Sequence, residues 1–308
     1  ELGYRTGCFG KWHVGCTPVS HPCRNGFDRF VGLPYSNDMD PLPLFEDFTC
    51  VEEDPDQAWL TRRYCDAAMD FIDQAGEQPW CAYIAHTMPH IPLHVEKEFR
   101  GKSNGGTYGD TIECIDYHLG RLMDRLDELG LSDDTLLIVT SDNGPWFEGS
   151  TGGLRGRKFD VYEGGVRAPF VAKLPGRIPA GNVCEQPASL LDMLPTFAGL
   201  ARAEVPGERP IDGRDIWQAF TGGDVPQREA YYFFFHDTLQ AVRVGKWKLH
   251  VAFGFDDKTK EMPQLFDMDL DPQESYNLAD NHPEVVEKLR GLIEKFAAEV
   301  KADRESSR

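Results

Sequence analysis

Two adjacent oxygen-bearing side chains, Asp142 and Asn143, directly follow a short apolar run at residues 135–140. A carboxylate beside a carboxamide offers hard oxygen ligands, which calcium and magnesium prefer over the nitrogen and sulfur ligands that suit zinc. The apolar run is typical of a strand buried on both faces of a parallel sheet, so the pair would lie at the carboxyl edge where ligands bind. An Asx turn is the alternative interpretation, because Asp-Asn-Gly is turn chemistry wherever it occurs.

Cationic side chains that could hold an anion occur in two places. Lys158 lies in the glycine-rich stretch 152–165, where Arg155 and Arg157 could face either solvent or substrate. Lys11 and His13 are separated by one residue, so on an extended segment both would point to the same side. This spacing indicates an anion clamp, and an exposed lysine beside a packed histidine is the alternative.

Histidines recur every four residues at 86, 90 and 94, immediately after an apolar run at 80–85. On a helix this spacing would indicate a metal-binding face. Pro89 and Pro92 argue against a helix, so we predict one histidine at a strand end as a site residue rather than a zinc trio. The eight cysteines include no Cys-x-x-Cys pair, which argues against a structural zinc site and leaves disulfide pairing open.

The overall charge excludes some classes of partner. Acidic residues outnumber basic ones by 51 to 32, for a net charge of -19. Nucleic-acid binding needs a basic stripe, and the sequence shows none. No apolar run reaches the roughly 20 residues that span a bilayer. An anionic substrate would therefore depend on a few local cations.

The elements that must position these residues alternate between strand and helix patterns. We predict helices over 54–73, with Asp54 as N-cap and Pro55 in the first turn, over 108–129, and over 187–200, bent near Pro195. Strands are predicted over 80–85, 135–140 and 166–173. The alternation predicts an α/β fold with a mostly parallel central sheet flanked by helices.

The last part of the chain has a different pattern. Residues 201–227 are rich in proline, glycine and charge, which is typical of a connector. Short strands then follow at 230–235, 240–244, 247–252 and 264–268, with a tight turn at Gly245, and an amphipathic helix covers 283–300. We therefore predict a first domain at 1–227 and a small C-terminal domain, an antiparallel sheet plus a helix, at 228–308.

Several ordered motifs resemble those of one enzyme family. GYRTGCFGKWHVG, PHIP, TLLIVTSDNGP, GLRGRKFDVYEGGVRAPFVAKLPGRIPAG and LFDMDLDPQESYNLA follow the order and spacing of type I sulfatases, within the alkaline phosphatase superfamily. GFDRFVGLPYSNDM is similar to the arylsulfatase A-like subgroup in particular. The resemblance covers nearly the whole chain, and it implies hydrolysis of a sulfate ester of a carbohydrate or an aryl alcohol.

The resemblance also implies roles for individual residues. Asp142 and Asn143 would ligate one calcium ion, and Lys11 and Lys158 would bind sulfate oxygens. His13 would orient or deprotonate the catalytic group, and His90 would contact the sulfate or protonate the leaving oxygen. Two more residues complete the expected site, Ser36 as a pocket-lining side chain from the resemblance and His236 as a candidate on the rim from the residues alone.

One part of the family pattern is absent. Type I sulfatases carry a Cys-x-Pro-Ser-Arg or Ser-x-Pro-Ser-Arg motif whose first residue becomes formylglycine, with an acidic pair of calcium ligands upstream. Cys16-Thr-Pro18 begins similarly, but Ser20 stands where the arginine belongs, so we predict a structural or disulfide cysteine there. The resemblance implies an amino-terminal truncation, with the nucleophile and the remaining calcium ligands upstream of Glu1, and an inactive chain as it stands.

Two alternatives remain at this point. One is a phosphomonoester or phosphonate hydrolase of the same superfamily, and the other is a non-catalytic relative that binds sulfated glycans. Expected partners are a small-molecule or glycan sulfate ester and, for the full-length protein, a formylglycine-generating or sulfatase-maturing enzyme. Analogy with exported sulfatases favours a periplasmic or extracellular location.

Overall fold

The computed structural model describes residues 2–205, 207, 210–225, 228–252 and 263–306. It divides the chain into two compact units, Glu1–Thr135 and Leu136–Arg308. The predicted domain boundary at residue 227 stays a prediction. No helix in the described ranges has the length and apolarity needed to cross a bilayer.

The first unit is built on a five-stranded mixed sheet. Its strands are β1 (Arg5–Lys11), β2 (Arg29–Leu33), β3 (Leu44–Glu46), β4 (Thr49–Glu52) and β5 (Trp80–Ala85), in the order β4-β3-β2-β1-β5. β1 lies between β2 and β5 and runs parallel to both, while β3 and β4 add antiparallel pairs at one side. The predicted strand at 80–85 is confirmed with its exact bounds.

Two helices cover this sheet, α1 (Leu60–Ala75) and α2 (Gly106–Glu128). Apolar side chains at helical spacing, among them Leu60, Tyr64 and Leu122, join Phe9 of β1 in one core. The prediction that Asp54 caps the first helix is wrong. A 3-10 turn at Gln57–Trp59 precedes α1, and Asp56 caps it because its carboxylate accepts a hydrogen bond from Ala58 N at 3.0 Å.

Glycine allows β1 to approach its neighbours β2 and β5 closely. A Cβ on Gly10 would lie 1.9 Å from Ala85 O of β5, and one on Gly32 would lie 1.8 Å from Gly10 O. The backbone of Gly10 also has φ +122°, which side chains disfavour. The carboxyl ends of β1, β2 and β5 therefore depend on glycine at this point.

We expect Gly10→Ala to destabilise the first unit by about 1 to 3 kcal/mol, because the added methyl overlaps a backbone carbonyl. Gly120→Ala is the matched control, since no atom lies within 4 Å of its added Cβ on α2. Alanine should stabilise that helix by up to about 1 kcal/mol. Urea unfolding of both variants measures the difference, and equal stabilities would contradict the prediction.

The second unit begins with a two-stranded sheet. β6 (Leu137–Thr140) pairs antiparallel with β7 (Phe170–Lys173), and a short helix α3 (Glu163–Val166) precedes β7. The prediction that 135–140 is buried on both faces of a parallel sheet is wrong within this unit, since Val139 is 39% exposed and its only described partner strand is β7. An apolar run indicates that a segment tends to form a strand. It does not indicate which strand the segment pairs with.

Among the remaining elements, the C-terminal strands and helix follow the sequence predictions closely. The helix predicted over 187–200 begins only at Met193, after a 3-10 turn at Leu190–Asp192, so Pro195 lies in its first turn and not at a bend. A short helix also lies within the predicted connector. Helices α4 (Met193–Ala201) and α5 (Trp217–Phe220) precede a four-stranded antiparallel sheet. Its strands are β8 (Tyr231–Phe235), β9 (Thr238–Val244), β10 (Trp247–His250) and β11 (Gln264–Asp267), and helix α6 (Pro283–Ser306) packs its apolar face on it. The predicted turn at Gly245 is confirmed, with φ +55°.

Candidate active site

Three predicted site residues of the first unit follow the carboxyl ends of three neighbouring parallel strands. Lys11 is the last residue of β1, Ser36 follows β2 by three residues, and His90 lies in the segment after β5. Because β1 pairs with both other strands, their carboxyl ends form one edge of the sheet. This is the edge where α/β proteins bind ligands.

Side-chain hydrogen bonds join the loops after β2 and β5. Asn37 is 2% exposed, and its amide donates to the Pro92 carbonyl at 3.1 Å and to Gln57 Oε1 at 3.0 Å. The segment that carries His90 is further shaped by cis bonds before Pro89 and Pro92, which confirms that the histidine series is not helical. The bonds of Asn37 therefore hold the loop with buried Ser36 next to the loop with half-buried His90.

His13 departs from the extended geometry that the sequence predicted. β1 ends at Lys11, and His13 has φ +51°, so the strand alternation between residues 11 and 13 is broken. Backbone bonds hold the segment, with Trp12 N donating to Leu33 O at 2.9 Å and His13 N donating to Pro34 O at 3.1 Å. His13 is exposed next to the loop after β2.

Asp38 is a charged residue of this edge that the sequence prediction missed. The Ser36 side chain holds the pKa of Asp38 below its ordinary value, and the positive charges of His90 and Lys11 lower it further. Ser36 Oγ is buried and makes no full hydrogen bond within the described residues. The sequence pattern does not reveal this role, because the charge of Asp38 matters only beside His90 and Lys11, which lie at other strand ends.

In the second unit, Asp142 and Asn143 follow β6 as predicted. Asp142 is exposed and Asn143 half-buried, and Ser141 Oγ donates to the Asn143 carbonyl at 3.0 Å. Gly144 brings this segment against the glycine-rich loop, because its N–H donates to Gly165 O at 2.8 Å and a Cβ there would lie 2.0 Å from Gly164 O. The acidic pair is therefore tied to the loop that carries Lys158.

Lys158 is held beside the same segment by its backbone. Its N–H donates to Pro145 O at 3.0 Å, and its ammonium lies 5.4 Å from the centre of the Phe159 ring. Lys158 is half-buried. The structure thus brings Asp142, Asn143 and Lys158 onto two joined loops of one unit.

The two arginines of the glycine-rich loop have structural partners. Arg155 donates to the Glu274 carbonyl at 3.0 Å and lies over the Tyr162 ring at 4.1 Å. Arg157 donates to the carbonyls of Trp146 and Gly149 at 2.9 and 3.0 Å. Both guanidinium groups hold the loop in place.

A buried ion network fastens the end of this loop to the C-terminal sheet. Lys248 Nζ, 0% exposed on β10, lies 2.9 Å from Glu163 Oε1 and 3.1 Å from Glu274 Oε1. His250 Nε2 lies 2.7 Å from Glu274 Oε1, and Glu163 N donates to Glu274 Oε2 at 2.6 Å. Sequence reasoning missed this network, because its members are far apart along the chain.

The network makes the stability of the second unit sensitive to acid. Burial lowers the pKa of His250 below its ordinary 6.5, although Glu274 partly opposes this. Burial raises the pKa of Glu274, but His250 and Lys248 outweigh that effect and leave it below its ordinary 4.5. Both groups bind protons more readily in the unfolded chain, so stability falls as the pH decreases below about 6.5.

We expect His250→Gln to reduce the loss of stability between pH 7 and pH 5, because glutamine does not take up a proton there. The measurement is the thermal midpoint at each pH for the variant and the unchanged chain. His236→Gln, at an exposed position, should leave the pH dependence unchanged. An equal slope for His250→Gln and the unchanged chain would contradict the assignment.

His236 lies at the turn between β8 and β9. It is exposed, has φ +48°, and its ring lies 4.3 Å from that of Phe235. Phe235 in turn lies 6.4 Å from Phe159, the neighbour of Lys158. This hairpin end therefore adjoins the glycine-rich loop.

The donor chemistry of Asp142 and Asn143 fits a hard cation. A carboxylate and an amide oxygen are ligands that calcium accepts, and the exposed position of Asp142 leaves room for a cation. Calcium takes six to eight oxygen ligands, so these two residues supply only part of a shell. Among the described residues, the single group of three close metal-ligating side chains lies elsewhere, at Glu96, Cys114 and His118.

Cys16 has no feature of a nucleophile site in the first unit. It is exposed and lies before a 3-10 turn, Pro18–Ser20, that Thr17 caps. All eight cysteines fall within the described residues and none forms a disulfide there. The disulfide interpretation of Cys16 is therefore wrong for this structure, since no cysteine is paired with it.

Comparison with known families covers almost the entire chain. The sulfatase family model matches residues 1–203, and the C-terminal model of N-sulphoglucosamine sulphohydrolase matches residues 154–299. The mixed sheet of the first unit and the four-stranded antiparallel sheet of the second unit both fall within these matches. The family models thus include every candidate residue named above.

Individual relatives agree with these matches. N-acetylgalactosamine-6-sulfatase from Canis lupus familiaris is 38% identical over 81% of this chain and 52% of its own length. Arylsulfatase A from Homo sapiens is 34% identical over 94% of this chain and 66% of its own length. The chain spans about half the length of the N-acetylgalactosamine-6-sulfatases that it matches.

A solved structure gives the same fold. A protein from the study of glycosaminoglycan metabolism in Bacteroides thetaiotaomicron has a TM-score of 0.86 and 26% identity, covering 96% of this chain and 80% of its own. The mixed sheet with three adjacent parallel strands and flanking helices, and the separate antiparallel sheet, are therefore an alkaline phosphatase-like α/β fold. On these grounds the chain belongs to the type I sulfatase family.

Proposed function

We propose that this protein is a sulfuric ester hydrolase that acts on a sulfated carbohydrate or an aryl sulfate. The observation that carries the proposal is the placement of Lys11, Ser36 and His90 at the carboxyl ends of three adjacent parallel strands. A cation, a hydroxyl and an imidazole there offer a charge, a hydrogen bond and a proton to an anionic ester. Family membership supports the same reaction.

Each candidate residue has a role that follows from its chemistry. Lys11 and Lys158 bind sulfate oxygens, since ammonium groups stabilise charge that grows during ester cleavage. His90 contacts the sulfate or donates a proton to the leaving oxygen, and His13 orients the attacking group or takes its proton. Ser36 and His236 are the remaining candidates for contact with the substrate.

Asp38 would set the charge state at this edge. Its carboxylate remains ionised because Ser36, His90 and Lys11 lower its pKa. A fixed negative charge there can hold the Lys11 ammonium in place. Asp38 is therefore a positioning residue in this proposal.

The proposed reaction needs a calcium ion and a formylglycine residue in addition to these side chains. Asp142 and Asn143 would hold calcium, which neutralises sulfate charge, and a formylglycine hydrate would supply the attacking hydroxyl. The Cys-x-Pro-Ser-Arg and Ser-x-Pro-Ser-Arg motifs are absent from residues 1–308. A formylglycine-generating or sulfatase-maturing enzyme is a proposed partner of a protein that carries such a motif.

The substrate class is proposed from the similar proteins. N-acetylgalactosamine-6-sulfatase acts, by its name, on a sulfated amino sugar, and the solved relative comes from work on glycosaminoglycans. A sulfated sugar fits an acidic chain, because a few fixed cations suffice for one sulfate group. Comparison of sulfated monosaccharides with an aryl sulfate would rank these classes.

The test uses this chain joined to a segment that carries the formylglycine motif and produced with the maturing enzyme. We expect sulfate release from a sulfate ester and little phosphate release from the matching phosphomonoester. Faster phosphate release would support the phosphomonoesterase alternative, which the sulfatase relatives do not favour. Tight binding of sulfated sugars without turnover would support the non-catalytic alternative.

A further inference from the structure

A second cluster of metal-ligating side chains is buried in the first unit. Glu96, Cys114 and His118 are each at most 2% exposed, and one donor atom from each lies within 4.8 Å of the others. His118 Nε2 is 2.6 Å from Glu96 Oε1, and Cys114 Sγ is 3.7 Å from the same oxygen. No residue assigned to the sulfate ester belongs to this cluster.

The fold explains how three such groups meet. Cys114 and His118 are four residues apart on α2, so they lie on the same face of the helix, one turn apart. Glu96 reaches that face from the segment that follows β5. Two ligands spaced by one helical turn and a third from a separate segment are a common way to bind one ion.

Two further donors border the cluster. Cys65 Sγ on α1 lies 3.9 Å from His86 Nε2, while His86 Nδ1 is buried and lacks a hydrogen-bond partner among the described residues. Cys65 lies on α1, which packs against α2 in the same core, and His86 lies in the same segment after β5 as Glu96.

We propose that Glu96, Cys114 and His118 bind a divalent transition-metal ion of the zinc type, with Cys65 or His86 as the source of a fourth ligand. Thiolate, imidazole and carboxylate form a ligand set that zinc accepts in tetrahedral sites. Calcium takes oxygen ligands, so this site is independent of Asp142 and Asn143 and of the proposed reaction.

The contacts indicate where the protons of Cys114 and His118 go when a metal ion binds. Metal binding releases the Cys114 thiol proton to solvent, because the thiolate is the ligand. Binding at His118 Nε2 moves the ring proton to Nδ1, which lies 3.0 Å from Arg121 Nη1. The same Nη1 also lies 2.8 Å from Asp66 Oδ1, so Arg121 keeps this ion pair when it gives up the bond to His118.

Arg62 contacts both the buried cluster and a depression at the surface. Its side chain is 37% exposed, lies 2.6 Å from Glu96 Oε2 and lines a surface depression of about 280 Å³. Glu52, Asp56 and Asp66 line the same depression together with Arg63, so its carboxylates outnumber its guanidinium groups by three to two. Movement of Arg62 away from Glu96 would connect this depression with the buried ligands.

The test titrates the full chain, first stripped with a chelator, with Co²⁺ and with Zn²⁺. We expect one equivalent of Co²⁺ to give a thiolate-to-metal charge-transfer band, and Zn²⁺ to displace it. Cys114→Ser should abolish the band and weaken Zn²⁺ binding by at least about 100-fold, beyond the 10- to 100-fold typical of outer-shell changes. Cys50→Ser, at an exposed cysteine on β4, is the matched control and should bind normally.

A second variant keeps the test decisive if Cys114→Ser does not fold. His118→Gln should keep the charge-transfer band but bind Zn²⁺ at least about 10-fold more weakly. Failure of the unchanged chain to bind one equivalent would overturn the proposal. An unaltered band in Cys114→Ser, or normal Zn²⁺ affinity in His118→Gln, would overturn it as well.

Discussion

Replacing Lys248 with methionine should lower the free energy of unfolding of the second unit by about 3 to 5 kcal/mol. Lys248 is the shared cationic partner of Glu163 and Glu274, and it is completely buried. Its removal leaves two carboxylates without their counter-charge in a low-dielectric environment, whereas methionine preserves much of the apolar stem. Urea unfolding followed by fluorescence of the adjacent Trp247 measures the loss.

The pH dependence and a matched control separate this effect from a packing defect. In Lys248→Met the buried carboxylates should favour protonation, so the deficit should shrink as the pH falls toward 4. Lys295→Met removes an exposed ion pair with Glu299 at 3.9 Å in the same unit, and should cost no more than about 0.5 kcal/mol. A loss below about 1 kcal/mol for Lys248→Met would show that the network does not stabilise the loop.

The second large effect is expected on catalysis. Lys158→Ala in the matured, nucleophile-bearing protein should lower kcat for a sulfate ester by about 100- to 1,000-fold, or roughly 3 to 4 kcal/mol. The reason is that its ammonium would stabilise charge on the sulfate oxygens as the ester bond breaks. Initial rates of sulfate release at saturating substrate measure the change.

Lys173→Ala is the control for this change, because it removes an exposed lysine at the end of β7. It should keep kcat within about 2-fold, which falls inside the ordinary range for surface substitutions. Lys158→Ala should also unfold at nearly the same urea concentration as the unchanged protein, since its contact with Phe159 contributes about 1 kcal/mol or less. A decrease in kcat of less than 10-fold would remove Lys158 from the proposed site.

Several features could be predicted from residue pattern because they depend on neighbours along the chain. The strand Trp80–Ala85, the hairpin turn at Gly245 and the location of Asp142 after a strand agree with the structure. Apolar alternation and glycine placement act over a few residues, so the local sequence contains the needed information. The same local rules failed at Asp54, where Asp56 competes as a cap two residues later.

Pairing between distant segments could not be predicted in this way. The run at 135–140 predicted a strand correctly, but its partner in this unit is the antiparallel β7. A Cys-x-x-Cys pattern does not detect the group formed by Glu96, Cys114 and His118, because its ligands come from a loop and one helix face. Asp38 was overlooked for a related reason, since its charge matters only beside His90 and Lys11.

The sequence by itself determined the family, most of the elements after residue 54 and the position of Asp142 and Asn143 after a strand, because motif order and hydrophobic period are properties of the chain. The tertiary structure decided which of those residues are joined. It placed Ser36 and His90 beside the end of β1, tied the Lys158 loop to Asp142 and Asn143, and buried Lys248 between two carboxylates. Burial and close approach of distant residues set these charges and contacts, and they arise only when the chain has folded.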